Sequence, residues 1–183
     1  QSILRYANPV SYNGDILHAN SVQYLGAGQL KKLPGVPPGS LLISLRNMDT
    51  IIIVDPVTEK VVWALRGSWH LQHDPDLLDN GDLLIFDNQG EVSGGALGSR
   101  VMQIDPATEE LVWVFPVDQS ELLYSSVKSS QQRLPGGNTL ITETNNGRLL
   151  EVSMKGDVVW EFYIPERHEK DGLVYTKAID AQR

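Results

Sequence analysis

The sequence predicts an all-β chain, a β-propeller of four-stranded antiparallel blades, on three observations. A tryptophan strand recurs as Val61-Val62-Trp63-Ala64-Leu65, Leu111-Val112-Trp113-Val114-Phe115 and Val158-Val159-Trp160-Glu161-Phe162, with the tryptophans 50 and 47 residues apart. A turn glycine opens an apolar run in each unit, at Gly39, Gly81 and Gly137. Between these marks no stretch has a helical period long enough for a βαβ unit. Four strands in each unit of about 45–50 residues make the blade of a propeller. A single β-sandwich is the alternative, but it has no reason to repeat one tryptophan at one place in every unit.

The strands follow in order. His18 to Leu25 is the innermost strand, a, of the first unit, Gly39-Ser40-Leu41-Leu42-Ile43 opens b, and Ile51 to Val54 is c. The turn Asp55-Pro56-Val57-Thr58-Glu59 leads to d with Trp63, since Pro, Gly and Asp suit turns and β-branched or aromatic residues suit strands. The second unit runs from His73 to Leu78, through Gly81-Asp82-Leu83-Leu84-Ile85 and Val101 to Ile104, to Trp113. The third runs from about Ser125 to Leu134, through Gly137-Asn138-Thr139-Leu140-Ile141 and Leu149 to Val152, to Trp160. The blades therefore span about 16–67, 70–117 and 123–165, and 166–183 is a tail that begins the next blade near Tyr175. His168, in the polar run 166–171, reads as part of a solvated loop. The tryptophans alternate onto the face that packs on the neighbouring blade, so they are packing residues and not substrate platforms. Three blades and a partial one do not close a ring, which usually needs about 4–8. Further blades lie outside this chain, or a second copy in a homo-oligomer supplies them.

Composition narrows the function. With 41% hydrophobic and 21% charged residues over 183 positions, the chain is a folded protein and not a disordered one. Lys and Arg total 15 against 23 Asp and Glu, a net charge of −8, which argues against nucleic-acid binding. Cys is absent, excluding disulfides, thiolate zinc sites and cysteine nucleophiles, and leaving the compartment open. No apolar run is long enough to span a bilayer. The first residues form no signal peptide and include no initiator Met, which reads as a processed or excised piece.

Propeller geometry brings the start of each a strand and the end of each b strand to one mouth of the central channel. His73 lies 8 residues before Gly81, and Ser129 is the matching residue before Gly137. His18 opens the first a strand. Seven residues after the glycines stand Arg46, Asn88 and Thr144. An arginine among Leu42, Ile43 and Leu45 calls for an anion, and Asp74 or Asp87 would be its partner if the role were only structural. The longer segments Gly26 to Pro38 and Gln89 to Ser99 are expected to rim this region. Two histidines without a third ligand make a weak zinc site, and no glycine-rich loop joins a strand to a helix, so neither a metal nor a nucleotide cofactor is expected. Imidazole is a good nucleophile near neutral pH, and a nearby Arg can hold a transferring anionic group.

At these residues the sequence resembles the bacterial arylsulfotransferase family, which uses no nucleotide sulfate donor. The likeness lies in His18-Ala19-Asn20-Ser21-Val22, Ser44-Leu45-Arg46, Gln72-His73-Asp74, Leu84-Ile85-Phe86-Asp87-Asn88, Ser99-Arg100 and 132–141, from about residue 16 to 165. The resemblance implies a six-bladed propeller, exported to the periplasm or the cell exterior, that moves a sulfuryl group from an aryl sulfate to a phenol. His73 matches the histidine that becomes sulfated, and His18 and Arg46 match residues that contact the sulfuryl oxygens. Asn20, Asn88, Arg100 and Thr144 are expected to bind substrate. A further histidine that the family draws from an earlier blade has no match in this chain. The competing expectations are a non-catalytic propeller binding an anionic ligand or a protein partner at the same mouth, and a quinone-dependent dehydrogenase, whose channel carboxylates are not found.

Overall fold

The computed structural model describes residues 14–91, 97–118, 121–165, 168–170, 173–175 and 181. Twelve strands form three four-stranded antiparallel sheets, each in sequence order from inside to outside. The first blade holds β1 (Ala19–Tyr24), β2 (Leu41–Leu45), β3 (Thr50–Asp55) and β4 (Lys60–Arg66). The second holds β5 (His73–Leu77), β6 (Leu83–Glu91), β7 (Leu97–Ile104) and β8 (Leu111–Phe115). The third holds β9 (Ser130–Arg133), β10 (Thr139–Glu143), β11 (Arg148–Val152) and β12 (Val158–Tyr163). These are blades of a β-propeller.

Each blade turns on its glycine. Gly39, Gly81 and Gly137 sit at φ of 89°, 89° and 92°, a backbone that side chains rarely adopt, and this sharp reversal sets the b-strand register. Alternation then splits each sheet into two apolar faces. The Trp63 face of the first blade packs on Leu77, Leu83, Ile85, Met102 and Ile104 of the second. The Trp113 face of the second packs on Ile141, Leu150 and Val152 of the third. Trp113 also donates Nε1–H to the Met154 carbonyl at 3.1 Å, and the Arg133 guanidinium stacks over its ring at 5.0 Å. The corresponding face of the third blade is open: Trp160 is 46% exposed and stacks on Phe162, itself 45% exposed.

Two segments differ from expectation. Gly26 to Pro38 does not rim the mouth that holds His73; it lies at the opposite one, where an a strand turns into b. Its Leu30, Leu33 and Val36 enter the core shared by the first two blades. Lys32 reaches Asp82 at 2.6 Å and Asp105 at 2.7 Å, so the insertion is a strap between blades. Gln89 to Ser99 is largely strand, because β6 runs on to Glu91 and β7 begins at Leu97; residues 92–96 lie outside the described residues.

The tail holds a short hairpin, β13 (His168–Lys170) with β14 (Leu173–Tyr175). His168 is thus in a strand and not a loop, since the apolar run Leu173-Val174-Tyr175 gives its segment a pairing partner. Residues 176–180, where the next blade was expected to continue, lie outside the described residues.

Candidate functional site

The mouth is built from turns that grip one another across blades. Gln72, His73 and Asp74 divide the work. Gln72 is buried and points its amide into the first blade, donating to Ser44 Oγ at 3.2 Å, the Leu45 carbonyl at 3.3 Å and the Thr50 carbonyl at 3.1 Å. Asp74 faces the third blade, where its carboxylate accepts Gln131 N–H at 3.3 Å and its carbonyl accepts the Gln131 side-chain amide. His73 is held between these two anchors at the start of the innermost strand, half-buried.

Nδ1 of His73 has two neighbours, Asn88 Oδ1 at 2.7 Å and the Leu71 carbonyl at 3.0 Å. The Asn88 amide cannot be turned round, because its Nδ2 donates to the Ser125 carbonyl at 2.7 Å and the Lys128 carbonyl at 2.8 Å. Both neighbours of Nδ1 are therefore acceptors, and Nδ1 carries the proton. Nε2 keeps its lone pair and has no hydrogen-bond partner among the described residues. Burial is the main influence on this imidazole and lowers its pKa; the two hydrogen bonds act the other way, and the positive charges of Arg46 and His18 lower it further.

His18 and Arg46 stand side by side at the end of the first blade, the Arg46 N–H donating to the His18 carbonyl at 3.1 Å. Arg46 begins a 3-10 turn that follows β2. Its guanidinium donates to Asn47 Oδ1 at 2.8 Å, and among the described residues it makes no ion pair. Asp87, one of its candidate partners, is taken by Arg100. His18 has a left-handed backbone, φ 45°, unusual outside glycine. Asp15 holds it at two points, accepting the backbone N–H at 2.9 Å and lying 2.6 Å from Nδ1. The hydrogen bond from His18 is the main reason that the Asp15 carboxyl titrates below its ordinary range.

His18 and Arg46 are thus neighbours, and the charges of both reach His73. The other four candidates sit behind or beside them. Asn88 is buried behind His73, with both side-chain polar atoms bonded to protein. Asn20 gives its amide to the Gln72 carbonyl at 2.8 Å, while its buried Oδ1 has no partner among the described residues. Thr144 is buried in the third blade, its N–H donating to Ser129 Oγ at 3.1 Å. Arg100 lies one strand further out, on β7, bonded to Asp87 at 2.8 Å and to the Ser68 carbonyl at 3.0 Å. The third blade repeats this pairing: Glu143 and Arg148 are cross-strand partners, as are Asp87 and Arg100. An acid six residues after the turn glycine with an arginine across the next hairpin is a signal that sequence reading missed.

It missed Asp15, Asn47 and Asp49 as well. Asn47 links Arg46 to the Asp15 carbonyl, which accepts its Nδ2–H at 2.6 Å. Asp49 accepts the Leu71 N–H at 2.9 Å and lies 3.1 Å from His70 Nδ1, fixing the segment that precedes His73. Trp69 is buried against the interblade core. Gly67 allows this, for a Cβ there would fall 2.0 Å from the indole.

Comparison with known proteins follows the same lines. A family model described as arylsulfotransferase (ASST) matches residues 4–165. A search of curated proteins finds no match. Similar solved structures include the WD40 β-propeller domain of Doa1, at 13% identity and a TM-score of 0.53 over 80% of this chain and 41% of that one. A catalytically inactive virginiamycin B lyase from Staphylococcus aureus with quinupristin gives 12% identity and a TM-score of 0.51 over 87% of this chain and 43% of that one. A protein of unknown function from Bacteroides caccae gives 12% and 0.50 over 84% and 50%. At such identities the likeness is one of fold. The chain spans half the length of these structures or less. No helix among the described residues is long and apolar enough to cross a membrane.

Proposed function

The chain belongs to the arylsulfotransferase family, and on that premise we propose that its channel mouth moves a sulfuryl group from an aryl sulfate to a phenol by way of a sulfated His73. The observation that carries this reading is the state of His73: Nδ1 is bound to two acceptors, and Nε2 has no hydrogen-bond partner among the described residues. Nε2 attacks sulfur, and the bond from sulfur to the aryl oxygen breaks with its electron pair leaving on the phenolate. The adduct is an imidazolium carrying SO3⁻, and its Nδ1–H keeps the Asn88 and Leu71 oxygens, which stabilise the positive charge as it forms. Arg46, which makes no ion pair among the described residues, and His18 hold the sulfuryl oxygens, as cationic clamps do in phosphoryl transfer. A phenol then attacks the adduct and restores the imidazole. No cofactor enters this sequence.

Residues outside this chain complete the ring in this proposal, and the family supports an exported location, periplasmic or extracellular. The test is transfer from p-nitrophenyl sulfate to a phenol. His73→Asn should abolish it while donor binding persists. Transfer at the parent rate would overturn the reading.

A further inference from the structure

The mouth holds a second histidine whose state is also set by its surroundings. Asp15 lies 2.6 Å from His18 Nδ1 and accepts the His18 backbone N–H at 2.9 Å, so one carboxylate fixes both the ring and the strained backbone that carries it. A carboxylate is acceptor-only when ionised. Nδ1 of His18 therefore bears hydrogen, and Nε2 is the nitrogen left for exchange with a substrate. His18 stands beside Arg46, and its charge is felt at His73. The groups that face it are thus Asp15 from its own approach, Arg46 from the turn after β2, and His73 from β5.

The geometry points to Asp15 as a positioning residue that makes His18 the proton carrier between the two phenols. The inference rests on the sulfuryl-transfer reading above. In the first half of the cycle the proton on His18 Nε2 passes to the departing aryl oxygen, leaving a neutral phenol and a neutral imidazole. In the second half Nε2 takes the proton of the acceptor hydroxyl as its oxygen bonds to sulfur, and the imidazolium is restored. The proton balance closes within one cycle. The carboxylate of Asp15 holds the ring and its tautomer in place, the part that an acid plays behind a histidine general base.

Asn47 gives the contrast that makes this testable. It reaches the Asp15 backbone carbonyl, not its carboxylate, and supports Arg46 from the other side. Asp15→Asn therefore leaves the Asn47 contact in place and keeps an oxygen for the His18 backbone N–H, while on the link to the imidazole an amide NH can force the proton onto Nε2. Proton donation matters most for a poor leaving group. With phenyl sulfate as donor, Asp15→Asn should lower kcat/KM by about 10² or more, and with p-nitrophenyl sulfate by a markedly smaller factor. Asn47→Ala should raise KM for both donors alike. Nitrogen NMR of the unaltered protein supplies a readout that needs no turnover: the neutral His18 ring should carry its hydrogen on Nδ1, and Asp15→Asn should move it to the Nε2–H form. An equal loss with both donors, or a neutral His18 protonated at Nε2 in the unaltered protein, overturns the inference. Failure of p-nitrophenyl sulfate to sulfate His73 at all would instead remove the reading on which it rests.

Discussion

Oδ1 of Asn88 lies 2.7 Å from Nδ1 of His73, and the Asn88 amide is pinned from behind by the Ser125 and Lys128 carbonyls. A side chain from β6 thereby decides which nitrogen of a histidine on β5 carries hydrogen. Asn88→Ala should leave the nucleophile loosely placed and lower kcat by about 10², the size expected for a small misplacement. Steady-state kinetics check this, and a fall confined to KM would mean that Asn88 touches substrate instead.

The pH profile follows from the surroundings of His73. Burial, then the charges of Arg46 and His18, lower its pKa against the opposing hydrogen bonds, so the bare nitrogen persists below pH 6.5, the ordinary imidazole value. The acid limb of the rate should fall below that pH. Replacing Arg46 by Met removes one repelling charge and should move the limb upward. Stability carries the same sign: the unfolded chain takes up the proton first, so stability is lost as pH drops through 6.5 towards the folded pKa. Rates and melting measured from pH 5 to 8 test both.

Asp76, on the innermost strand below His73, has its pKa pushed up to about 7 by burial and then by the charge of Asp74. A raised acid makes the opposite contribution. The folded state binds more protons between about pH 4 and 7, so stability declines as pH rises across that range, by up to about 1.4 kcal/mol per pH unit. Asp76→Asn should flatten the decline, and an unchanged slope in denaturant melts would contradict it.

Arg100 and Asp87 form a pair whose side chains are 16% and 0% exposed. Arg100→Met would strand a buried carboxylate and should cost about 3–5 kcal/mol. The double variant with Asp87→Asn should recover much of that loss. Recovery without loss of sulfuryl transfer would identify the pair as structural; transfer abolished in the double variant would put Arg100 back among the substrate contacts.

The three equivalent tryptophans should not behave alike. Trp113 is 8% exposed and bonded to Met154, and its truncation to Ala should cost about 3–5 kcal/mol. Trp160 is 46% exposed, and the same change should cost less than half as much. Equal losses in chemical denaturation would show that the third face is covered in solution.

Much of this was legible in the sequence because it repeats. The tryptophans marked the outer strands, and the turn glycines set a register in which the seventh residue onward meets the start of the innermost strand. That register placed Arg46 beside His18, and Asn88 beside His73. What escaped was settled by contacts between blades, which no local pattern carries. Lys32 looks like a solvated loop residue until Asp82 and Asp105 reach it from the next blade. Asn47 and Asp49 look like ordinary turn formers, yet their bonds reach Asp15 and Leu71. Arg100 seemed available for substrate because its partner lies across a hairpin and is also buried.

The most direct measurement is to incubate the protein with p-nitrophenyl sulfate and no acceptor, quench it at alkaline pH where a sulfated imidazole survives, and map the added group by peptide mass. One SO3 group should be found on the peptide bearing His73, should vanish on addition of a phenol, and should be absent from His73→Asn. A protein that turns over substrate while His73 stays unmodified, or that carries the group on another residue, would contradict the account.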